Sequence, residues 1–214
     1  MSFIGEASAY FKAQRHGLGY HTFLGDFAVA SQSIVLSVDY RHAPENRLPI
    51  AYDDCYSSLE WLSCQVSSEP WLERADLSRV FLSGDSAGGN IVHNRGEDEK
   101  ERAGGEAENL ALTDWMWKLS LPEGSNRDHY WCNYEMAELS RAEWCRFPPA
   151  VVYVAGLDFL KERGVMYAAF LEKNGVEVKL VEAEGEKHVY HMLHPESEAT
   201  RLLQKQMSEF IHNF

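Results

Sequence analysis

Segments of strand length and apolar character alternate along this chain with segments whose apolar residues recur every three or four positions. Ser33–Tyr40 is a continuous apolar run, which predicts a parallel strand covered on both faces. Three further segments are predicted to be strands: Arg79–Ser83, Pro149–Gly156 and Val176–Val181. Strands that alternate with helices predict an α/β fold with a mostly parallel sheet flanked by helices.

The segments with helical periodicity lie before, between and after these strands. They are Tyr20–Ser31, Ile50–Gln65, Lys161–Lys173 and Glu196–His212. Asn174 and Gly175 predict the C-terminal end of the third helix. The residues expected to face inward from the last helix are Ala199, Leu203, Met207 and Phe210.

Residues 95–148 interrupt this alternation. Residues 95–102 are charged and poor in core residues, which predicts a solvated loop or link. Leu110–Leu121 contains Trp115, Met116 and Trp117, which indicates either a cap over a pocket or ordinary core. Residues 1–18 form an atypical N-terminus, and we expect residues 1–214 to form a single domain.

The charge and length of the chain narrow the function classes. The 214 residues have a formal net charge of −13, which opposes binding to nucleic-acid phosphates or anionic membrane surfaces. No segment approaches the ~20 apolar residues that a membrane span needs, and the first residues lack a signal-peptide pattern. The cysteines, without Cys-x-x-Cys spacing, predict reduced thiols and a cytoplasmic location. They are Cys55, Cys64, Cys132 and Cys145.

Gly84–Gly88 fits the pattern Gly-x-Ser-x-Gly, with a predicted strand before it and a segment that can begin a helix after it. A sharp turn from strand to helix pushes the hydroxyl of Ser86 out of the backbone, where a base and a substrate can reach it. The glycines permit the strained turn. The backbone N–H of Ala87 would then point at a developing oxyanion.

A serine hydroxyl needs a base to accept its proton and a third group to orient that base. Asp158 follows the third predicted strand and His188 follows the fourth, so the order is nucleophile, acid, histidine. Because the loops at the carboxyl ends of parallel strands gather at one edge of a sheet, Ser86, Asp158 and His188 are expected to converge there. Asp158 as a helix N-cap and His188 as an ordinary loop histidine remain the structural alternatives.

A metal site is the competing interpretation of the histidines near the C-terminus. His188, His191 and His194 are spaced by three, so on a helix the outer two would diverge, and Pro195 opposes a continuing helix. The sequence also lacks His-Glu-x-x-His. We therefore predict neither a metal nor a cofactor.

Three segments of the chain resemble the plant carboxylesterases, in the hormone-sensitive-lipase-like branch of the α/β-hydrolase fold. They are Ser37–Glu45, Leu48–Asp54 and Gly84–Asn90. Val154–Asp158 and Glu184–His188 are similar to the acid and histidine loops of that family. The resemblance implies hydrolysis of a small carboxylic ester with Ser86 as nucleophile, Asp158 as orienting acid and His188 as base.

The same branch contains the gibberellin receptors, which bind a hormone without cleaving it and lack the catalytic histidine. A binder of that kind, or an inactive truncated product, is therefore the alternative function. Because His188 is present here, the resemblance favours the esterases over the receptors. The same branch also contains hydroxyisoflavanone dehydratases, and the sequence leaves that activity open.

Two departures from the family point to an incomplete sheet. The family carries His-Gly-Gly-Gly after an upstream strand, whereas here His16–Gly19 follows Tyr10–Arg15, which does not have the pattern of a buried strand. A core strand is also expected to be absent after Asn94. These losses would leave the strand before Ser86 without either neighbour, and they predict weak or absent turnover. The sequence leaves the oligomeric state open.

Overall fold

The computed structural model describes residues 5–11, 18–65, 68–93, 107–126, 129, 131–132 and 139–214, with the backbone alone for 5–11, 93 and 107–113. The chain forms two compact units. The first comprises Met1–Asn94 and His191–Phe214, and the second comprises Arg95–Tyr190. The interpretation of residues 1–214 as a single domain stays a prediction.

The described residues form five strands, eight α-helices and one 3₁₀ helix. In chain order they are β1 (Gly5–Phe11), α1 (Leu18–Ser31), β2 (Ser33–Val38), α2 (Ile50–Gln65), the 3₁₀ helix (Pro70–Leu72), β3 (Ala75–Gly84), α3 (Ala87–His93), α4 (Ala107–Ser120), α5 (Arg141–Trp144), β4 (Ala150–Ala155), α6 (Lys161–Lys173), β5 (Val178–Ala183), α7 (Tyr190–Leu193) and α8 (Glu198–Asn213). The predicted α/β alternation is confirmed, and all the pairs between these strands are parallel.

The sheet of the first unit has the order β2-β1-β3. β1 pairs along its length with both neighbours, from Glu6 opposite Ser33 to Phe11 opposite Gly84. The expectation that the strand before Ser86 has lost both neighbours is therefore wrong. Residues 10–15 do not have the pattern of a buried strand, but the upstream strand lies earlier in the chain and ends at Phe11. His16 and Gly17 lie outside the described residues, and Leu18 and Gly19 begin α1.

The other edge of β3 pairs with no strand among the described residues. Between α3 and β4, the described residues form α4 and α5 and contain no strand. Residues 94–106, which include all of the predicted charged link at residues 95–102, lie outside the described residues.

Helices α1 and α8 pack against each other in the first unit. The helical spacing places Phe23, Phe27 and Ala30 on one stripe of α1; Phe23 and Phe27 are fully buried as predicted, whereas Ala30 is exposed. The inward face of α8 differs from the prediction: Leu203 is buried as expected, but Ala199, Met207 and Phe210 are only partly buried. Its buried residues are Thr200, Leu203, Gln204, Ser208 and Ile211. The Gln204 amide and the Ser208 hydroxyl donate to the α1 carbonyl oxygens of Phe23 and Ala30 at 3.0 and 3.2 Å, and the Thr200 hydroxyl donates to the oxygen of His194 at 2.8 Å.

Strand β3 is tied to the last turn of α8. The Arg79 guanidinium donates to the carbonyl oxygen of Ile211 at 2.7 Å, and the rings of Phe81 and Phe210 meet edge to face. A cation at the C-terminal end of a helix also interacts favourably with the helix dipole. The strand that leads to Ser86 is thus held by β1 and by α8.

The second unit contains α4, α5 and the β4–β5 pair with α6 and a small aromatic core. Ala150 lies opposite Val178 and Ala155 opposite Ala183, so the two strands end side by side. The core cluster contains Trp144, Leu171 and Val176. Helix α6 ends where Asn174 and Gly175 predicted, with Gly175 at a φ of 86°.

In the aromatic segment, Trp115 and Met116 of α4 are 58% and 53% exposed. This exposure does not fit ordinary core for these two side chains. A cap over a pocket stays a prediction. Among the described residues, no helix has the length and apolar character that a membrane crossing requires.

The close approach of α1 to α7 gives a stability prediction. A Cβ at Gly19 would lie 2.1 Å from the carbonyl oxygen of Met192, which is backbone and cannot rotate away. We expect Gly19→Ala to lower the free energy of unfolding by about 1–3 kcal/mol through overpacking. The matched control is Gly25→Ala on the exposed face of α1, which has open space and should stabilise by about 0.5–1 kcal/mol. Urea unfolding measures both, and equal shifts in the same direction would contradict the contact.

The α2 core gives a reactivity prediction for the cysteines, all four of which are free thiols. Cys55 is packed in a cluster with Tyr40 and Ala51, and burial, with a smaller contribution from Asp54, raises the pKa of its thiol to about 12. At pH 8 its thiolate fraction is about 10³-fold below that of a thiol with an ordinary pKa. Titration of the native protein with a disulfide reagent should modify the exposed Cys64 and Cys145 and leave Cys55 unmodified until denaturant is added. Cys55→Ala serves as control, and equal reaction rates at the three sites would refute the burial.

Candidate active site

Ser86 lies in the two-residue turn between β3 and α3. It has a φ of 53°, in the left-handed region, where a residue with a Cβ is strained by roughly 1–2 kcal/mol. Ser86 is exposed to solvent. This is the strand–turn–helix geometry that the motif predicted, and it projects the hydroxyl away from the sheet.

The residues around Ser86 keep the turn tight. A Cβ at Gly84 would lie 2.4 Å from the carbonyl of Gly88, so a larger residue at position 84 would prevent the strand from approaching the helix this closely. The N–H of Gly88 donates to the oxygen of Asp85 at 2.8 Å, and the N–H of Asn90 donates to the oxygen of Ser86. These bonds close the turn and begin α3.

Ala87 is the first residue of α3. The first N–H groups of a helix have no partner one turn earlier in that helix, so the Ala87 N–H is suited to donate to an oxyanion. That role for Ala87 stays a prediction.

In the second unit, the loops after β4 and β5 bring Asp158 and His188 together. The Nδ1 atom of His188 lies 2.7 Å from Oδ2 of Asp158. The loops are joined by the N–H of Leu157, which donates to the oxygen of Glu186 at 2.8 Å. Because β4 and β5 are parallel and end side by side, their following loops meet, as the sequence argument required.

The Asp158 carboxylate holds its position through both oxygens. Oδ1 accepts from the N–H of Leu160 at 2.8 Å, while Oδ2 faces His188. Leu160, not Asp158, is the N-cap of α6, so the N-cap alternative does not describe this side chain. A carboxylate only accepts, which makes His188 Nδ1 the donor and leaves Nε2 as the basic nitrogen of the ring.

The pair is partly shielded from solvent. The Asp158 side chain is 13% exposed and that of His188 is 27% exposed. The rings of Phe159 and His188 lie 5.0 Å apart, so the imidazole has an aromatic neighbour as well as a carboxylate. Val189, directly after the histidine, has a φ of 49°. The histidine is thus fixed by a carboxylate, a ring and a constrained backbone.

A second carboxylate–histidine contact in the first unit was missed by the sequence argument. Asp85, next to Ser86, accepts from the hydroxyl of Tyr20 at 2.6 Å, and Nε2 of His191 lies 3.5 Å from the same oxygen. Burial, followed by the Asp85 charge, raises the pKa of Tyr20 above its usual range, so the hydroxyl stays protonated. The sequence signal for the Asp85–His191 contact was the position of His191 three residues after His188, on the same segment.

The three histidines of the C-terminal segment have different surroundings. His188 faces Asp158, His191 faces Asp85, and His194 is exposed beyond the end of α7. Within the part of the chain that the structure describes, no group of three or more His, Cys, Asp or Glu side chains could hold a metal ion.

Ser86 and Ala87 belong to the first unit, whereas Asp158 and His188 belong to the second. The structure therefore brings two of the three predicted catalytic side chains into contact and places the third, Ser86, in a strand–turn–helix with a positive φ. The assembly of all three into one triad stays a prediction.

Comparisons with known proteins identify the family of the chain. The sequence profile described as alpha/beta hydrolase fold matches residues 9–103 and 94–192. A probable carboxylesterase of Arabidopsis thaliana is 34% identical over 90% of this chain and 70% of its own length. A gibberellin receptor of the same plant is 32% identical over 91% of this chain and 61% of its own length. A tuliposide A-converting enzyme of Tulipa gesneriana, named as chloroplastic, is 36% identical over 81% of this chain and 52% of its own length.

Solved structures show the same fold. An esterase of Pyrobaculum calidifontis superposes with a TM-score of 0.77 at 24% identity, over 97% of this chain and 76% of that one. A thermostable carboxylesterase from a metagenomic library superposes with a TM-score of 0.79 at 22% identity, over 97% and 79%. The chain thus spans about 50–70% of the length of the plant relatives named above. With the strand–turn–helix at Ser86 and the profile match over most of its length, the chain belongs to the α/β-hydrolase family, in the branch that contains the plant carboxylesterases and the gibberellin receptors.

Proposed function

We propose that this protein hydrolyses small carboxylic esters through an acyl-enzyme on Ser86. The observation that carries the proposal is the 2.7 Å contact between Asp158 and His188, because it orients a histidine as a base and has no evident need in the packing of β4 and β5. The strained turn at Ser86 supports it independently. The proposal includes a single domain in which Ser86, Asp158 and His188 form one site.

In the first half-reaction, His188 Nε2 accepts the proton of the Ser86 hydroxyl while its oxygen forms a bond to the ester carbonyl carbon. Asp158 stabilises the imidazolium that results and keeps the ring in the tautomer with the proton on Nδ1. The same proton then passes from Nε2 to the departing alcohol oxygen, and the bond between that oxygen and the acyl carbon breaks.

In the second half-reaction, water attacks the acyl carbon and gives a proton to His188. The bond to Ser86 then breaks, the serine oxygen regains the proton, and the carboxylic acid leaves. The Ala87 N–H donates to the oxyanion in both steps. Each donor of an oxyanion hole is worth about 10²–10³ in turnover, so a site with one donor would be slow.

The proposed partner is a small-molecule ester, and no metal or cofactor takes part in these steps. The cytoplasm remains the proposed location, although relatives carry chloroplastic and mitochondrial names. A non-catalytic binder is the second candidate, favoured by the similarity to a gibberellin receptor along 91% of this chain. Saturable binding of a small apolar ligand without turnover would support it.

The nucleophile is tested with a fluorophosphonate probe, which forms a covalent bond with an activated serine. We expect the wild-type protein to be labelled and Ser86→Ala to be blank, because the attacking oxygen is gone. Ser63→Ala, on the exposed face of α2, is the matched control and should label like wild type. A blank result on folded wild-type protein would reject the proposed hydrolase.

The acid and base are tested by the rate of the same labelling reaction. Because a general base contributes about 10²–10⁴-fold, we expect His188→Asn and Asp158→Asn to slow the labelling of Ser86 at least about 10²-fold. His194→Asn, an exposed histidine of the same segment, is the control and should leave the rate unchanged. Unchanged rates in the first two variants would show that the Asp158–His188 pair does not serve Ser86.

A further inference from the structure

A buried polar cluster lies beneath the nucleophile turn in the first unit. Its members are Tyr20 of α1, Asp85 of the turn and His191 of α7. The Asp85 and His191 side chains are 13% and 9% exposed. We name these three residues the Asp85 cluster.

Burial of the Asp85 cluster costs free energy, because it removes a carboxylate from water. A carboxylate taken out of water loses several kcal/mol of hydration unless donors replace the water. Tyr20 supplies one donor at 2.6 Å, while Oδ1 of Asp85 is buried with no hydrogen-bond partner among the described residues. A leucine at this position would avoid the penalty, so stability alone does not account for an aspartate here.

The surroundings hold His191 in place beside the carboxylate. Its ring centroid lies 4.8 Å from that of Phe23 and 6.4 Å from that of Tyr20, with the Tyr20 ring edge-on. Phe23 is fully buried. The imidazole is therefore confined on two sides by α1, and its position relative to Asp85 is set by packing.

Asp85 is anchored through its backbone as well. Its carbonyl oxygen accepts the N–H of Gly88, and its side chain accepts the hydroxyl of Tyr20. Both ends of the residue that precedes Ser86 are thus fixed, one to α3 and one to α1. A residue in a strained conformation keeps it only where its neighbours over-determine it.

We propose that Tyr20, Asp85 and His191 are positioning residues that hold the turn in the strained conformation from which Ser86 can attack. The proposal deepens the hydrolase function and rests on it. None of the three touches the reacting atoms. They act by preventing the Asp85–Ser86 peptide from rotating to a relaxed φ, which would withdraw the hydroxyl from the attack geometry.

The matched pair of variants is Tyr20→Phe and Tyr52→Phe. Each removes one tyrosine hydroxyl, but Tyr20 donates to Asp85 whereas Tyr52 donates to the Asn90 side chain of α3 at 2.9 Å. Because an ångström of misplacement can cost about 10²-fold in rate, we expect Tyr20→Phe to slow fluorophosphonate labelling about 10-fold or more, and Tyr52→Phe less than about 2-fold.

A comparison of two substitutions at Asp85 tests whether its acceptor oxygen is what supports the labelling of Ser86. Asp85→Asn keeps an oxygen that accepts from Tyr20, whereas Asp85→Ala removes it. We expect Asp85→Asn to retain more labelling than Asp85→Ala when both are compared at equal fraction folded, measured by thermal unfolding. Equal loss of labelling in Asp85→Asn and Asp85→Ala would overturn the positioning role. The same conclusion would follow if the labelling of Tyr20→Phe and Tyr52→Phe fell only in proportion to their loss of thermal stability.

Amide hydrogen exchange of the peptide covering residues 84–90 gives a readout that does not need activity. We expect faster exchange there in Tyr20→Phe than in Tyr52→Phe, with unchanged exchange in β2. If wild-type protein is blank to the probe but Tyr20→Phe loosens the turn, the hydrolase function fails and the positioning of the turn stands. If exchange at the turn is the same in wild type and Tyr20→Phe, the positioning role is rejected whatever the activity.

Discussion

The pairing of β1 with both β2 and β3 is the constraint on which the first unit depends. Each unpaired buried backbone group would cost about 1–3 kcal/mol, which is large beside a domain stability of about 5–15 kcal/mol. The pairing continues to Phe11 opposite Gly84, the last residue before the turn. The strand before Ser86 is therefore hydrogen-bonded along one edge up to its last residue, which helps to maintain the strained φ of Ser86.

The contact between Asp158 and His188 in the second unit has a simpler structural origin. Two parallel strands end side by side, and the loops that follow them carry one carboxylate and one imidazole. Asp158 uses its other oxygen to accept from the N–H of Leu160 at the start of α6, so the same residue orients the His188 imidazole and anchors its own loop. A carboxylate that accepts from both partners has little freedom to rotate, which favours a single histidine tautomer.

The sequence predicted most elements because their signals are local. α2 and α6 have the predicted bounds, since apolar periodicity and an Asn-Gly stop are properties of short segments. β1 is rich in Gly, Ala and Ser, which have little strand preference, and its pairing with two distant strands decides its conformation. The polar inward face of α8 and the Asp85–His191 contact depend on partners over 100 residues away, which periodicity cannot reveal.

The chain order of the first unit has a consequence for biosynthesis. Its sheet and α1 come from residues 1–94, whereas α8 comes from residues 198–213. Helix α8 packs on α1, and a carbonyl oxygen in its last turn accepts from Arg79 of β3. A ribosome releases residues in sequence at about 5–20 per second, so the unit that carries Ser86 waits for the entire second unit to be made. Until residues 198–213 have been made, α1 lacks the helix that packs against it, so this unit can complete its packing only after α8 has left the ribosome.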